Sequence, residues 1–158
     1  MTSAINIRPA TMEEIDAVCA LWQRLEASKK QQPFGGDKED EIPVRTRNVV
    51  AHSITSETAI SLVAENNDQL IATLSAYIYE KPAVQLPTVA VLYSLWVDPE
   101  HRHKGIAQSL LATAEQSLKQ MGAQSLQVAW DSGNLPAERF WQQAGFSPYE
   151  VIASKILK

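Results

Sequence analysis

The sequence predicts an α/β or α+β domain in which a sheet with an antiparallel front half is covered by helices. Two alternating apolar segments around Asn66-Asn67-Asp68 indicate an antiparallel hairpin, because Asn and Asp tolerate turn conformations. A nearly continuous apolar run over 89–97 indicates a buried strand, and an amphipathic helical pattern follows it after a glycine-marked turn. The length of 158 residues is close to that of one domain, so residues 1–158 are expected to form a single domain.

The first elements are a short strand over 5–8 and a helix that ends near Ser28. Thr11 and Glu14 resemble a capping box, which places the start of this helix. Its apolar face is expected to hold Ile15, Val18, Cys19, Trp22 and Leu25. Residues 31–41 contain a proline and two glycines within a charged run, so they are expected to form a loop.

A second helix is predicted over 44–56, with Val49, Val50 and Ile54 facing the core. The hairpin strands then cover 61–65 and 70–79, and the buried strand covers 89–97. The helix after that strand begins at Ile106 and ends at Gly122, a natural stop residue. Its apolar positions recur at helical spacing and are Ile106, Leu110, Leu111, Ala114, Leu118 and Met121.

The last elements are a strand over 126–129, a helix that starts at Asn134, and a strand over 149–157. Asn134 is a plausible N-cap because Pro136 falls in the first turn, and Gly145 ends the helix. The apolar positions of this helix are Ala137, Phe140, Trp141 and Ala144. Residues 149–157 alternate well enough to predict a strand.

Composition excludes several classes of protein. Lys and Arg number 14 against 18 Asp and Glu, which gives a net charge of −4 and argues against a nucleic-acid partner. Cys19 is the only cysteine, and its helical pattern predicts a buried structural thiol rather than a nucleophile. The start of the chain lacks the apolar core of a signal peptide, and no segment is long enough to cross a membrane. We therefore expect a cytoplasmic protein with no membrane partner.

The turn over 101–107 has the chemistry of an anion site. The first N–H groups of a helix lack partners within the helix and lie at the positive end of its dipole. Gly105 lets a ligand approach the backbone, and Arg102 and Lys104 add positive charge. The segment is neither a Walker loop nor a dinucleotide fingerprint, since it lacks the Lys-Ser/Thr pair and no Gly-x-Gly occurs. The alternative is an ordinary strand-to-helix turn with solvated basic residues.

Two blocks together resemble the GNAT superfamily of acetyl-CoA dependent N-acetyltransferases. Residues 102–107, Arg-His-Lys-Gly-Ile-Ala, match the family's Arg/Gln-x-x-Gly-x-Gly/Ala motif. Residues 134–146 resemble its Asn-x-x-Ala segment followed by an aromatic pair and Gly-Phe. The resemblance implies a mostly antiparallel central sheet with a splayed parallel pair. It also implies that acetyl-CoA is the acyl donor, with its diphosphate on the backbone amides of 102–107.

The resemblance further implies a set of donor-binding residues. The pantetheine arm would pair with backbone groups near Leu95 and Val97, and Asn134 would contact its far portion. Asn134 has a competing role as a helix cap. The residues implied in donor binding are Leu95, Trp96, Val97, Arg102, His103, Lys104, Gly105, Ile106, Ala107, Asn134, Ala137 and Phe140.

The sequence departs from the family where the acid and base are usually found. Trp141 occupies the position of the tyrosine that protonates the departing thiolate in many relatives, and an indole N–H is no useful acid. Tyr93 and Ser94 stand where relatives carry carboxylates. The candidate catalytic residues are therefore Tyr93, Ser94 and Tyr149, although Tyr93 also fits a core or cleft-lining aromatic.

His101 and His103 lie on the basic turn, which favours a role in donor electrostatics over catalysis. No histidine and carboxylate cluster has ligand spacing, so no metal site is expected.

The acceptor side in this family is usually built from the first two helices, the loop between them and the loop before the motif strand. That resemblance points to Trp22, Glu26 and Phe34 and to the acidic run 37–41. The acidic run would attract a cationic amine, but such runs more often form solvated loops. Few residues follow Phe146, so the cleft is expected to be more open or completed by a second subunit in a homodimer.

The leading functional hypothesis is transfer of an acetyl group from acetyl-CoA to a small-molecule or peptide amine in a ternary complex. A different class, motivated by Trp141, Tyr93 and Ser94, is an acyl-CoA-binding sensor without turnover. A nucleotide-binding regulator is a third alternative, but no base-recognition motif supports it.

Overall fold

The computed structural model describes residues 4–29 and 43–158. The elements in those ranges follow the predicted order. They are β1 (Asn6–Pro9), α1 (Ile15–Ser28), α2 (Val44–Thr55), β2 (Ala59–Asn66), β3 (Gln69–Glu80), β4 (Thr88–Val97), α3 (Ile106–Gln120), β5 (Ser125–Val128) and α4 (Leu135–Gln143). Short 3-10 turns, Met12–Glu14 and Pro99–His101, precede α1 and follow β4. The predicted loop over 31–41 lies outside the described residues.

The strands form one sheet in the order β1-β2-β3-β4-β5. The first four strands pair antiparallel, as the sequence predicts for the front half. β2 and β3 are joined by Asn67 and Asp68 with φ of 51° and 62°, the positive values that a tight hairpin turn requires. β4 and β5 are neighbours joined through α3, the type of connection that parallel strands need. The predicted α/β fold class is confirmed.

Helices cover both faces of the sheet. A cluster contributed mainly by α1 and α2 packs around Val63 of β2, and Cys19 in this cluster is fully buried. Leu62, the neighbour of Val63 on β2, points to the opposite face of the sheet because side chains alternate along a strand. Leu62 is also buried, and α3 covers this second face. Burial raises the pKa of the Cys19 thiol, in agreement with an inert structural cysteine.

One prediction about α2 is wrong. Val49 is 50% exposed, whereas Val50 and Ser53 of the same helix are buried. The core-facing stripe of α2 is centred on Val50, and a residue one position away is rotated by about 100° from that stripe.

A network of charges ties β1 to the start of α1 and to β2. Both terminal nitrogens of Arg8 donate to Glu14, each at 2.7 Å, and the Nε of Arg8 donates to Glu65 at 3.0 Å. The N–H of Thr11 donates to Glu14 at 3.0 Å, so the predicted capping residues do meet. Hydrogen bonds from Arg8 lower the pKa of Glu14 to about 2.

The described chain groups into two compact units, Met1–Gln127 and Val128–Lys158, and the prediction of a single domain stays a prediction. In the second unit, Asn134 caps α4 as predicted, since its side chain accepts a hydrogen bond from the N–H of Ala137 at 3.2 Å. Trp141 is 5% exposed and meets Phe140 and Phe146 edge-on, with ring centroids 4.9 and 5.3 Å away.

The predicted strand over 149–157 is wrong. These residues form no regular element, and the apolar side chains Val151 and Leu157 are 92% and 85% exposed. An alternating pattern is not sufficient for a strand, because the backbone N–H and C=O groups of a strand need hydrogen-bond partners on a neighbouring strand. None of the described strands pairs with this segment. No helix among the described residues is both long and apolar enough to cross a membrane.

Candidate functional site

The basic turn between β4 and α3 is held by backbone hydrogen bonds on either side of Asp98. The N–H of Asp98 donates to the carbonyl of Ile71 on β3 at 2.8 Å, and its own carbonyl accepts the N–H of His101 at 2.9 Å. Arg102 reaches back to the end of β4, where its Nε donates to the carbonyl of Val97 at 2.8 Å. The turn is thus fixed relative to the sheet before any ligand binds.

The Asp98 side chain joins three elements. Its carboxylate accepts the Nε1–H of Trp96 at 2.8 Å and two contacts from Arg24 of α1, at 2.9 and 2.8 Å. The guanidinium of Arg102 lies 4.7 Å from the centre of the Trp96 ring, on its face.

The start of α3 has the geometry of an anion site. Gly105 has φ of +81°, and His103 has φ of 62°. The N–H of Ser109 donates to the carbonyl of Gly105 at 3.0 Å, so the amides of Ile106, Ala107 and Gln108 come before the first helical bond. A Cβ at position 105 would meet nothing within 4 Å, which leaves open space above these amides. Residues 102–105 are exposed, so their charge faces solvent.

A shallow cavity of about 100 Å³ adjoins this helix start. Its lining residues come from the turn, the first helical turn and β1, and they are Ile5, Ile7, Lys104, Gly105, Ile106 and Ser109. The wall from β1 is apolar, while the turn supplies the charge and the amides.

β4 carries a bulge just before the basic turn. Ser75 of β3 pairs with Tyr93 and Thr73 pairs with Trp96, so two residues of β4 stand opposite the single residue Leu74. Ser94, the first of the two, has φ of 54°, an uncommon value for a residue other than glycine. The ladder is therefore interrupted at Ser94 and Leu95, where sequence alone gave no sign of a bulge.

Tyr93 stands immediately before the bulge and packs among aromatic rings. Its ring centroid lies 5.5 Å from that of Trp22 and 5.8 Å from that of Tyr77. Burial, as the largest effect, raises the pKa of Tyr93, although the side chains of Ser53 and Ser75 act to lower the pKa of its hydroxyl. The hydroxyl of Tyr93 therefore stays protonated at neutral pH.

A larger cavity of about 550 Å³ lies beside α2, and we call it the α2 cavity. It is lined by residues of α2, of the turn that follows it, and of β3 and β4. These are Asn48, Val49, His52, Thr58, Ala59, Tyr77, Ile78 and Tyr93. Tyr93 is the one residue of this set that the sequence predicts as a site candidate. The others lie in segments that are distant in the chain and come together only in the folded structure, so no local pattern marks them.

A family model described as acetyltransferase (GNAT) family matches residues 20–146, which is most of the chain. The chain belongs to the GNAT acetyltransferase family. The matched range contains both blocks that carry the resemblance in the sequence, the basic turn and the segment over 134–146.

Solved structures share the GNAT fold at low sequence identity. A predicted acetyltransferase with acetyl-CoA from Clostridium acetobutylicum has 17% identity and a TM-score of 0.80, over 97% of this chain and 96% of that one. The aminoglycoside N-acetyltransferase AAC(6')-Iy in complex with CoA has 17% identity and a TM-score of 0.75, over 100% and 97%. Glucosamine-6-phosphate N-acetyltransferase from Arabidopsis thaliana has 16% identity and a TM-score of 0.74, over 98% and 99%.

The candidate acceptor residues of this GNAT protein that the structure describes, Trp22 and Glu26, lie on successive turns of α1. Trp22 is 9% exposed in the core, and its Nε1 has no hydrogen-bond partner among the described residues. Glu26 is on the exposed side of α1 and pairs with Lys29 at 2.8 Å. Phe34 and the acidic run 37–41 lie outside the described residues.

The remaining candidates belong to the second unit. Tyr149 is 67% exposed in the irregular segment after α4. Asn134, Ala137 and Phe140 lie at the cap and on the first turns of α4, where Asn134 serves as the cap. Their contact with a donor stays a prediction. Within residues 4–29 and 43–158, no group of three or more His, Cys, Asp or Glu side chains could hold a metal ion.

Proposed function

We propose that this protein is an N-acetyltransferase that moves the acetyl group of acetyl-CoA to a primary amine of a small molecule or a peptide. The observation that carries the proposal is the open, positively charged start of α3 directly after a bulged strand, in a chain of the GNAT family. The proposal is also supported by similar structures whose names state acetyl-CoA, CoA, an aminoglycoside or glucosamine-6-phosphate.

The residues present fit acetyl-CoA. The amides at the start of α3 suit its diphosphate, since they point outward without a Cβ in the way at Gly105. Lys104 adds a positive charge there, whereas Arg102 also braces the turn through Val97 and Trp96. We propose that the pantetheine arm follows 95–97, where the bulge frees backbone groups from the β3 ladder. The same proposal gives Asn134, Ala137 and Phe140 contacts with the donor.

Acetyl-CoA supplies a thioester whose carbonyl carbon accepts the amine nitrogen. An alkylamine has a pKa of about 10.4, so the ammonium must first lose a proton. The C–N bond then forms, the C–S bond breaks, and the departing thiolate takes up a proton. A backbone N–H near 95–97 would donate to the thioester oxygen as its charge grows. Holding the two substrates together in a ternary complex accounts for much of the rate.

The candidate acid and base are Tyr93, Ser94 and Tyr149. Burial raises the pKa of Tyr93, so its hydroxyl is protonated at neutral pH and is available as a donor but not as a base. The ring contacts of Tyr93 with Trp22 and Tyr77 equally suit a fixed wall of the site. Ser94 is placed at the bulge itself. These roles are proposals that turnover measurements must separate.

A second candidate function is an acyl-CoA sensor without turnover. It is favoured by Trp141, a buried indole at the position where many relatives carry an acidic tyrosine hydroxyl. A sensor would keep the anion site at the start of α3 and lose the proton donor.

Two further parts of the proposal concern the cellular location and the oligomeric state of the protein. The single, buried thiol of Cys19 suits a reducing cytoplasm. A homodimer is supported by the exposed apolar side chains at 151, 152 and 157, which a second subunit would cover.

The test has two steps. Saturating acetyl-CoA should raise the melting temperature of the protein, because a ligand that binds only the folded state stabilises it. Thiol release from acetyl-CoA is then followed across a panel of small amines and peptide N-termini. Amine-dependent thiol release supports the transferase; a thermal shift with no release across the panel supports the sensor. Absence of any thermal shift contradicts both.

A further inference from the structure

The α2 cavity lies next to the proposed transfer point. Tyr93 forms part of its wall and directly precedes Ser94, the first residue of the bulge. Tyr77 of β3 lines the same cavity, and its ring lies 5.8 Å from that of Tyr93. A molecule in this cavity therefore contacts the residue that borders the interrupted part of the ladder. The volume of about 550 Å³ is within the usual range for small-molecule sites.

The described residues that line the α2 cavity include no acidic side chain and no lysine or arginine. The eight lining residues within 4–29 and 43–158 are all residues other than Asp, Glu, Lys and Arg. Its polar groups are the side chains of Asn48, His52 and Thr58 and the two tyrosine hydroxyls. The other lining residues are aliphatic. Such a wall suits an apolar or aromatic body and offers no counter-charge to a second ammonium group.

We infer that the acceptor is a monoamine on an aromatic or aliphatic body of small-molecule size, bound in the α2 cavity, rather than a polyamine. This inference rests on the proposed transferase function. An aromatic acceptor would pack against the rings of Tyr77 and Tyr93, and contacts between aromatic rings contribute more binding free energy than the buried apolar area alone. A polyamine would lose the hydration of every additional ammonium, and the described lining residues hold no carboxylate to replace it.

The same lining helps the acceptor become a nucleophile. Removing an ammonium from water into an uncharged cavity lowers the pKa of the amine, which favours its free base. The proton released from the amine nitrogen passes to water.

The experiment compares phenylethylamine with spermidine as acceptors for the wild type and two matched variants. Val49→Glu puts a carboxylate on the cavity wall at a half-exposed position of α2. Val44→Glu makes the same change on the same helix at a position 74% exposed and outside the cavity lining. The value measured is kcat/KM for each amine from thiol release.

The wild type should prefer phenylethylamine by at least about tenfold. Val49→Glu should shift the ratio towards spermidine by about tenfold, since a nearby carboxylate attracts the added positive charge. Val44→Glu should leave the ratio unchanged. A wild type that acetylates spermidine as well as phenylethylamine overturns the inference, as does an equal shift in both variants.

Calorimetry with CoA present separates failure of the inference from failure of the proposed function. Tighter binding of phenylethylamine than of spermidine, with neither amine acetylated, overturns the transferase and supports the assignment of the cavity. Turnover of spermidine in preference to phenylethylamine overturns the monoamine inference and supports the transferase. Equal or no binding of the two amines overturns the inference regardless of turnover.

Discussion

Substitution of Gly105 tests the anion site because the structure separates its effect on folding from its effect on the ligand. The backbone has φ of +81° there, and a Cβ would meet nothing within 4 Å. Both Gly105→Ala and Gly105→Glu should therefore fold. Each loses about 1 kcal/mol of unfolding free energy from the left-handed backbone. That cost lowers the melting temperature of a domain of this size by about 2–4 °C.

The effect on acetyl-CoA binding should differ sharply between the two variants. At a ligand concentration of about 100 times Kd, the wild type gains about 2.7 kcal/mol, or a rise in melting temperature of roughly 5–10 °C. A carboxylate about 5 Å from a phosphate charge adds about 3 kcal/mol of repulsion at an effective dielectric of about 20, which weakens Kd by more than about 100-fold. The gain for Gly105→Glu then falls to below about 0.5 kcal/mol.

Differential scanning fluorimetry of wild type, Gly105→Ala and Gly105→Glu, each with and without acetyl-CoA, measures both effects. Gly105→Ala should lose part of the ligand-induced shift, because its Cβ enters the space that the ligand approaches, and Gly105→Glu should retain about 2 °C or less. If Gly105→Glu keeps the wild-type shift, the donor binds elsewhere and the assignment of the turn is wrong.

The remaining predictions concern stability and are checked by urea denaturation. Ser94→Gly should be at least as stable as the wild type, whereas Ser94→Val should lose about 1–3 kcal/mol because a β-branched residue is strained at φ of 54°; equal stability of both would contradict the bulge. The pKa of Glu14 is lowered to about 2 from 4.5 by Arg8, so its carboxylate stabilises the fold above pH 4.5 and loses this effect as the pH falls towards 2. After allowance for partial exposure, Glu14→Gln should cost about 1–2 kcal/mol at pH 7, and the gap should narrow between pH 5 and 3; a gap independent of pH would exclude the ion pair as its source. Cys19→Ser should lose about 1–3 kcal/mol by burying a hydroxyl, and iodoacetamide should not label the native wild type; rapid labelling would show that the thiol is accessible.

Local signals in the sequence were sufficient for much of the fold. The hairpin follows from Asn67 and Asp68, because both the turn and its flanking alternation lie within one short segment. The start of α3 follows equally from Gly105 and the helical pattern after it. In each case the residues that determine the structure are neighbours in the chain.

The features that sequence could not predict depend on distant partners. The bulge at Ser94 exists only relative to β3, and one strand read alone shows no extra residue. The α2 cavity joins residues from α2, β3 and β4, and it forms only when the pairing of β3 with β4 brings the rings of Tyr77 and Tyr93 to 5.8 Å from each other. The segment over 149–157 illustrates the converse, since its alternation predicts a strand that no described neighbour pairs with.

The candidate site was predicted in part. The basic turn was identified from its own residues, but the tie from Arg102 to Val97 and the joint held by Asp98 depend on contacts with β4 and α1. The ring of Trp22 lies in the core against Tyr93, and its contact with an acceptor stays a prediction. An apolar helix stripe does not distinguish a core aromatic from one that lines a cleft.

The most direct test of the central claim is calorimetric comparison of acetyl-CoA with acetylpantetheine, which carries the same thioester but lacks the diphosphate and nucleotide. If the start of α3 holds the diphosphate, acetyl-CoA should bind at least about tenfold more tightly at low salt. The difference should shrink at high salt and largely disappear in Gly105→Glu. Equal affinity of the wild type for the two thioesters would contradict the claim.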